Sequence, residues 1–252
     1  MEVFPVVHIV NSDVELAVHE GEKAFNLGAD GILLIDHHNA WRNTNPLFES
    51  VNRLNEESSE RFVGINILGF NSMQVMQAID KALKNNKQTK SIEEGRVDIL
   101  LNNPPSGVWI DDMRDDYMTP GLAMEFKKSK SYLKQIKILG GVAFKYTNTF
   151  TEDPKKAEYE AVYLKDSVDV MVTSGPGTGF EPSVEKIRAM KNSIGEKALA
   201  IASGISFENI YKYNGLVDQI FVSSSVETIP GSGVFDERKL QELIDEAHRL
   251  AL

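Results

Sequence analysis

The chain has 252 residues, 42% of them hydrophobic, with a formal net charge of -10 and no cysteine. This length carries a large buried core, as two small domains or one α/β barrel, and no Pro/Gly/Ser-rich linker divides it. The acidic balance argues against a broad nucleic-acid or anionic-membrane surface. The missing thiols remove disulfides, cysteine nucleophiles, iron–sulfur clusters and thiolate zinc sites, so a cytoplasmic protein with a small-molecule ligand is expected.

The first apolar stretch, Val3–Val10, is too short to span a bilayer, has no basic flank and runs into acidic residues rather than a cleavage site. It reads as a buried strand with His8 near its end, and no integral membrane segment is expected. A helix follows over Val14–Leu27, with Leu16, Ala17, Ala24 and Leu27 near one face. The second strand, Gly31–His37, ends in "IDHHN". Asp36 and His37 are general acid/base candidates there. Adjacent strand residues point to opposite faces, so His37 and His38 do not both face inward unless the strand has already ended, and one of Asp36 and His37 is expected in a site. An Asp-His-His triplet also marks manganese phosphoesterases, but no Asp-x-Asp pair precedes it here, and no metal ligand is assigned.

Further strands are expected at Phe62–Gly69, carrying Asn66, and at Val97–Asn102, carrying Asn102. Segment 103–132 is rich in prolines, glycines and acids and reads as an irregular insertion suited to a lid over one barrel end. Asp111, Asp112, Asp115 and Asp116 cluster in it, an acid run that is ordinarily solvated and alternatively binds a cation. Trp41 and Trp109, after strands two and four, suit either covering a ring or packing a loop. The fifth strand, Ile136–Lys145, ends in a cation that can grip an anion, polarise a carbonyl or, once desolvated, form a Schiff base.

The sixth strand, Asp169–Ser174 with Thr173, runs into "VTSGPGTGF". Gly175, Gly177, Thr178 and Gly179 offer bare backbone and a hydroxyl of the kind that cradles an anion. The stretch is no Walker loop, because Phe180 and Glu181 stand where Lys and Ser or Thr are required, and its glycine spacing fails the dinucleotide fingerprint. A helix over Val184–Ile194 is capped by Ser183. The seventh strand, Ala198–Ser203, brings Ser203 and Gly204 before a helix expected to be capped by Ser206, whose free amides suit an oxyanion. The eighth, Asp218–Ser224, ends in Ser223 and Ser224, and a last helix follows Asp236 with acids at its positive end. Eight βα units in order predict a single (β/α)8 TIM barrel over 1–252, ribulose-phosphate-binding-barrel-like. Such a barrel carries its site at the C-terminal strand ends and a phosphate site after strands seven and eight.

Several stretches, "PVVHIV", "GINIL", "VAFKYTN", "VTSGPGTGFEP", "ASGISFENI" and "FDERKL", resemble in order and spacing the BtpA family of barrel proteins, which includes SgcQ-like members. The chain departs from the family pattern after the first strand ("NSDVE"), at Lys145-Tyr146 in place of Lys-His, and in "SSSVE", which lacks a lysine. The resemblance implies a barrel shaped like phosphosugar-handling enzymes, with members linked to photosystem I biogenesis and others to sugar or nucleoside metabolism.

The leading expectation is an enzyme for a small phosphorylated sugar or nucleoside-type metabolite, an isomerase, lyase or glycosidic-bond-cleaving or transfer enzyme. Loops six to eight hold its phosphate, Asp36 or His37 moves protons and Lys145 steadies developing charge. His8, Asn66, Asn102, Thr173, Gly175, Gly177, Thr178, Gly179, Ser203, Gly204, Ser223 and Ser224 are the expected ligand contacts. The alternatives are a metabolite-sensing or assembly factor and, more weakly, a metal-dependent phosphoesterase. No cofactor is expected, a divalent metal and a flavin being the options left open, and a homo-oligomer through outer helices is compatible with the fold.

Overall fold

Buried β-branched runs and amphipathic helices alternate along the chain, and in the computed structural model they close into a barrel. It describes residues 1–37, 43–57, 60–85, 100–114 and 121–251. Eight parallel strands pair in chain order and β8 returns to β1: β1 Glu2–His8, β2 Gly31–Ile35, β3 Phe62–Asn66, β4 Gly107–Ile110, β5 Lys137–Gly141, β6 Val170–Thr173, β7 Ala198–Ala202 and β8 Gln219–Val222. The helices around them are α1 Val14–Asn26, α2 Asn45–Glu57, α3 Ser72–Asn85, α4 Leu122–Lys128, α5 Pro154–Leu164, α6 Val184–Ile194 and α7 Glu237–Leu250. No helix among the described residues is long and apolar enough to cross a membrane.

The period-two alternation of strands sorts side chains into two cores. Phe4, Val6, Leu33, Ile35, Trp109, Leu139, Val172, Ala200, Ala202 and Phe221 fill the barrel interior. Val3, Val7, Ile32, Leu34, Met171, Leu199 and Ile220 face the helix layer. Edge-to-face packing of Phe4 with Phe62 and with Phe221 plugs the interior. That packing needs the neighbouring glycines: a Cβ on Gly31 would stand 2.4 Å from the Phe4 ring, and one on Gly107 2.6 Å from Phe62.

Helix starts follow the capping chemistry of the sequence. Asp13, Asp153, Ser183 and Asp236 each accept a first-turn amide. The segment after β7 differs from expectation. The Ser206 hydroxyl turns to Glu208 at 2.6 Å, the Asn209 side chain accepts the Ser206 amide at 2.8 Å, and only a single 3-10 turn, Ile210–Tyr213, forms. Local side-chain bonds of this kind compete with helix propagation.

Two further expectations are corrected. Among the described residues the fourth strand is Gly107–Ile110, which pairs with β3 and β5 (Gly64↔Gly107 and Gly107↔Lys137); of the expected Val97–Asn102, residues 97–99 lie outside the described residues and 100–102 form no strand. The span 103–132 contains β4 and α4, and residues 115–120 of it lie outside the described residues. Asn102 precedes β4, exposed, its amide bonded to the Asn52 side chain, and so lies toward the N-terminal end of the barrel wall, away from the strand ends that carry His8 and Lys145.

Candidate functional site

At the C-terminal strand ends the barrel opens into a cavity of about 960 Å³. Strand parity decides which residues reach it. His8 continues the inward series of Phe4 and Val6, His37 that of Leu33 and Ile35, and Ser223 that of Phe221, and all three line the cavity. Asp36 has the opposite parity, is 1% exposed and is not among the lining residues, so of the adjacent pair His37 is the one brought to the mouth. Thr173 likewise faces away, fully buried, its hydroxyl donating to the Ala143 carbonyl at 3.4 Å. His38, Trp41, Asp115 and Asp116 lie outside the described residues.

His8 and His37 stack with ring centroids 4.8 Å apart and planes inclined by 11°. The His8 Nε2 atom sits 2.9 Å from the Ser223 hydroxyl. Burial, then the neighbouring His37 and Lys145, pushes the His8 pKa from 6.5 down to about 4. The folded protein thus keeps this imidazole neutral where an unfolded chain takes up a proton. Its contribution to stability is complete above pH 6.5 and is lost as the pH falls through about 4. Urea titrations are expected to show His8→Gln losing less stability on acidification than the wild type, by up to about 3 kcal/mol. Parallel curves for the two proteins would refute this assignment.

Across the mouth, Asn66 at the end of β3 donates to Asp111 at 3.0 Å. Asp111 also has inward parity, following Trp109, and burial raises its pKa against the opposing pull of the Asn66 hydrogen bond and Lys145. A Cβ on Gly141 would stand 2.0 Å from the Asp111 carbonyl oxygen, so glycine there lets the β4 loop cross the end of β5. Both acids at 111 and 112 line the large cavity and a smaller one of about 280 Å³ between the β3 and β4 loops. Among the described residues no group of three His, Asp or Glu side chains is arranged to hold a metal ion.

Lys145 lies in the loop beyond β5, not on the strand. Its ammonium donates to the Thr178 hydroxyl at 3.3 Å, its amide donates to Ser174 at 2.8 Å, and burial lowers its pKa against Tyr146 and Asp111. Two residues of this loop, Ala143 and Tyr146, hold left-handed backbone at φ 47° and 64°. Such angles cost about 1–3 kcal/mol each without glycine and persist only where the surroundings enforce them. Behind the loop, Lys186 of α6 is fully buried and donates to the carbonyls of Ala143 at 2.9 Å and Ser174 at 2.7 Å, with Glu152 at 3.4 Å. Sequence reasoning missed Lys186, whose position on a helix gives no local signal for a contact with two strand-end loops.

The glycine-rich stretch after β6 divides. Gly175 and Gly177 do not line the cavity, whereas Thr178 and Gly179 do. A Cβ on Gly175 would meet the Phe180 carbonyl at 2.1 Å, so this glycine lets loop six fold back on itself, and one on Gly204 would meet the Glu181 amide at 2.2 Å, so this one lets loop seven touch loop six backbone to backbone. The amides of Thr178, Gly179 and Phe180 already donate to Tyr146 Oη, Ser203 Oγ and the Gly177 carbonyl. Ser203, at φ 99°, closes the clasp by donating to the Gly177 carbonyl at 3.1 Å.

Loops seven and eight differ. The amides of Gly204, Ile205, Ser224 and Ser225 have no acceptor among the described residues, and all four residues line the cavity. The Ser225 hydroxyl, bonded to the Ile205 carbonyl at 2.7 Å, ties the two loops together.

No family model and no curated protein matches the chain. Solved structures resemble it in fold. Native KDPGal superposes with a TM-score of 0.63 at 10% identity, covering 100% of this chain and 96% of that one. Phosphoribosyl anthranilate isomerase from Thermus thermophilus gives 0.61 at 14%, covering 99% and 100%. N-(5'-phosphoribosyl)anthranilate isomerase from Pyrococcus furiosus gives 0.60 at 14%, covering 99% of each. At these identities the similarity concerns architecture: the chain is a closed eight-stranded TIM barrel of the same shape as these proteins.

Proposed function

We propose that the protein is an enzyme acting on a small phosphorylated sugar or nucleoside-type metabolite, in a barrel of BtpA type. The phosphate group lies against the amides of Gly204, Ile205, Ser224 and Ser225, with Lys145 supplying positive charge. The stacked His8 and His37, beside Ser223, and Asp111 across the mouth move protons. The observation that carries this reading is that Gly204, Ile205, Ser224 and Ser225, from two adjacent loops, line one cavity with amides that have no acceptor among the described residues. A tetrahedral anion supplies acceptors to several such amides at once. Their place after β7 and β8 is where barrels of this architecture bind phosphate. The neighbours named for phosphoribosyl compounds agree with a phosphorylated ligand by analogy of fold.

The chemistry suits isomerisation, bond cleavage next to a carbonyl, or glycosyl transfer. Each needs an anchored anion, a neutral base and a group that stabilises developing charge. The cavity holds both an imidazole kept neutral by burial and, across the mouth, a carboxyl whose pKa burial raises.

Thermal unfolding with ribose 5-phosphate, other sugar phosphates and their unphosphorylated counterparts tests the anchor, because a ligand that prefers the native state raises the Tm. Stabilisation is expected from the phosphorylated members alone. Ser224→Asp, which places a carboxylate in the cradle, is expected to abolish it while leaving the ligand-free Tm within a few degrees. Equal stabilisation of Ser224→Asp and wild type would sink the assignment of the phosphate to loops seven and eight. Stabilisation without turnover in the wild type would turn the reading toward a metabolite sensor.

A further inference from the structure

Glu227 lies in the loop after β8, outside the cavity lining, with its side chain fully buried. Its two carboxylate oxygens have different partners. Oε2 accepts the amide of Gly231, and Oε1 accepts the hydroxyl of Ser223 at 2.8 Å. A hydroxyl has one proton, so once Ser223 donates it to Glu227 its oxygen can only accept from His8 Nε2, 2.9 Å away. Nε2 must then carry the imidazole proton. The opposite ring arrangement would reverse both hydrogen bonds and require Glu227 to donate.

We propose that Glu227 is a positioning residue which, through the Ser223 hydroxyl, holds neutral His8 as the Nε2–H tautomer and leaves the Nδ1 lone pair as the proton-accepting atom. A carboxylate hydrogen-bonded to one ring nitrogen commonly sets the tautomer of a catalytic histidine, usually by direct contact. Here a serine is interposed, and the carboxylate stays out of the cavity. The groups around the ring agree with a neutral imidazole: His37 stacks on one face, and Lys145 adds positive charge from the β5 loop. The use of Nδ1 as a base during turnover rests on the proposed function, but the tautomer itself does not.

Long-range ¹H–¹⁵N correlation spectra of the histidine-labelled protein at neutral pH read the tautomer directly, with His8 assigned from the His8→Gln spectrum. The wild type is expected to show a proton-bearing Nε2 and a bare Nδ1. Glu227→Gln keeps the shape but gives one end of the side chain to an amide NH2. The Gly231 amide can only donate, so it retains the Gln oxygen, the NH2 faces Ser223, and Ser223 then donates to His8. The tautomer is expected to switch to Nδ1–H. Ser223→Ala, which removes the link without changing the buried acid, is expected to give averaged shifts from both tautomers. An Nδ1–H signal in the wild type, or an unchanged Nε2–H signal in both variants, would overturn the proposal. No phosphorylated compound enters this experiment, so failure of the relay and failure of the phosphate assignment are separate results.

Discussion

Replacing Lys186 by Met is expected to lower the unfolding free energy by about 3 kcal/mol, a large share of the total for a single domain. Met occupies much of the lysine volume, so the loss comes chiefly from polar groups. The Ser174 carbonyl loses its side-chain donor and the Ala143 carbonyl keeps only the Thr173 hydroxyl at 3.4 Å, and a buried acceptor left without a donor costs about 1–3 kcal/mol. Glu152 is partly exposed and recovers water, which keeps the total below that of a fully buried ion pair. The loop that suffers is the one holding Ala143 and Tyr146 in left-handed backbone, so its strain loses the contact that enforces it.

The pH dependence has a definite sign. Burial lowers the Lys186 pKa from 10.5 to about 8, against the attraction of Glu152. The folded protein releases this proton earlier than the unfolded chain, so the pH-dependent part of its contribution, which adds to that of the hydrogen bonds, is full above pH 10.5 and is lost as the pH falls to about 8. Urea unfolding is therefore expected to show the gap between wild type and Lys186→Met widening from about pH 8 to about pH 10. A variant as stable as the wild type at all pH values would mean that Lys186 does not support the two loops.

Lys145→Met is expected to weaken binding of a sugar phosphate about 10- to 100-fold, with little effect on the unphosphorylated sugar. Lys145 is the only Lys or Arg among the described residues lining the large cavity. A charge-assisted hydrogen bond to an anion contributes about 1.5–3 kcal/mol, which converts to that range of Kd. Its one side-chain hydrogen bond in the structure, to Thr178 at 3.3 Å, is long enough to be exchanged for a phosphate oxygen at small cost. Isothermal titration with ribose 5-phosphate and ribose measures the difference. Equal affinities of wild type and variant for the phosphate compound would remove Lys145 from the binding role.

How much of this was legible beforehand differs from element to element. The helix over Val184–Ile194 and its Ser183 cap are local features, and they appear where the sequence puts them. The fourth strand is the counterexample. A four-residue strand buried on both faces has no polar alternation, so "GVWI" and the apolar run ending at Leu101 are equivalent to any argument from period. Pairing with β3 and β5, and the Phe62 ring lying over Gly107, select the later one. Once the strand is at 107–110, parity from Trp109 brings Asp111 inward, and its hydrogen bond to Asn66 follows.

The glycines after β6 teach a related lesson. Their composition announces close backbone approach, but a ligand and a neighbouring loop make the same demand on a Cβ. Gly175 and Gly204 answer to loop contacts, while the cavity-lining amides of Gly204, Ile205, Ser224 and Ser225 are left without acceptors among the described residues.

What the sequence by itself determined was the repeating βα pattern, hence the barrel and the end of it that carries chemistry, because strand period, helix period and caps are properties of neighbouring residues. Only the tertiary structure decided that His8 meets Ser223 and Glu227, that Lys186 supports Ala143 and Ser174, and that His37 rather than Asp36 lines the mouth. Those relations arise from closing β8 against β1 and from setting strand register, and residues separated by most of the chain carry no local trace of such a meeting.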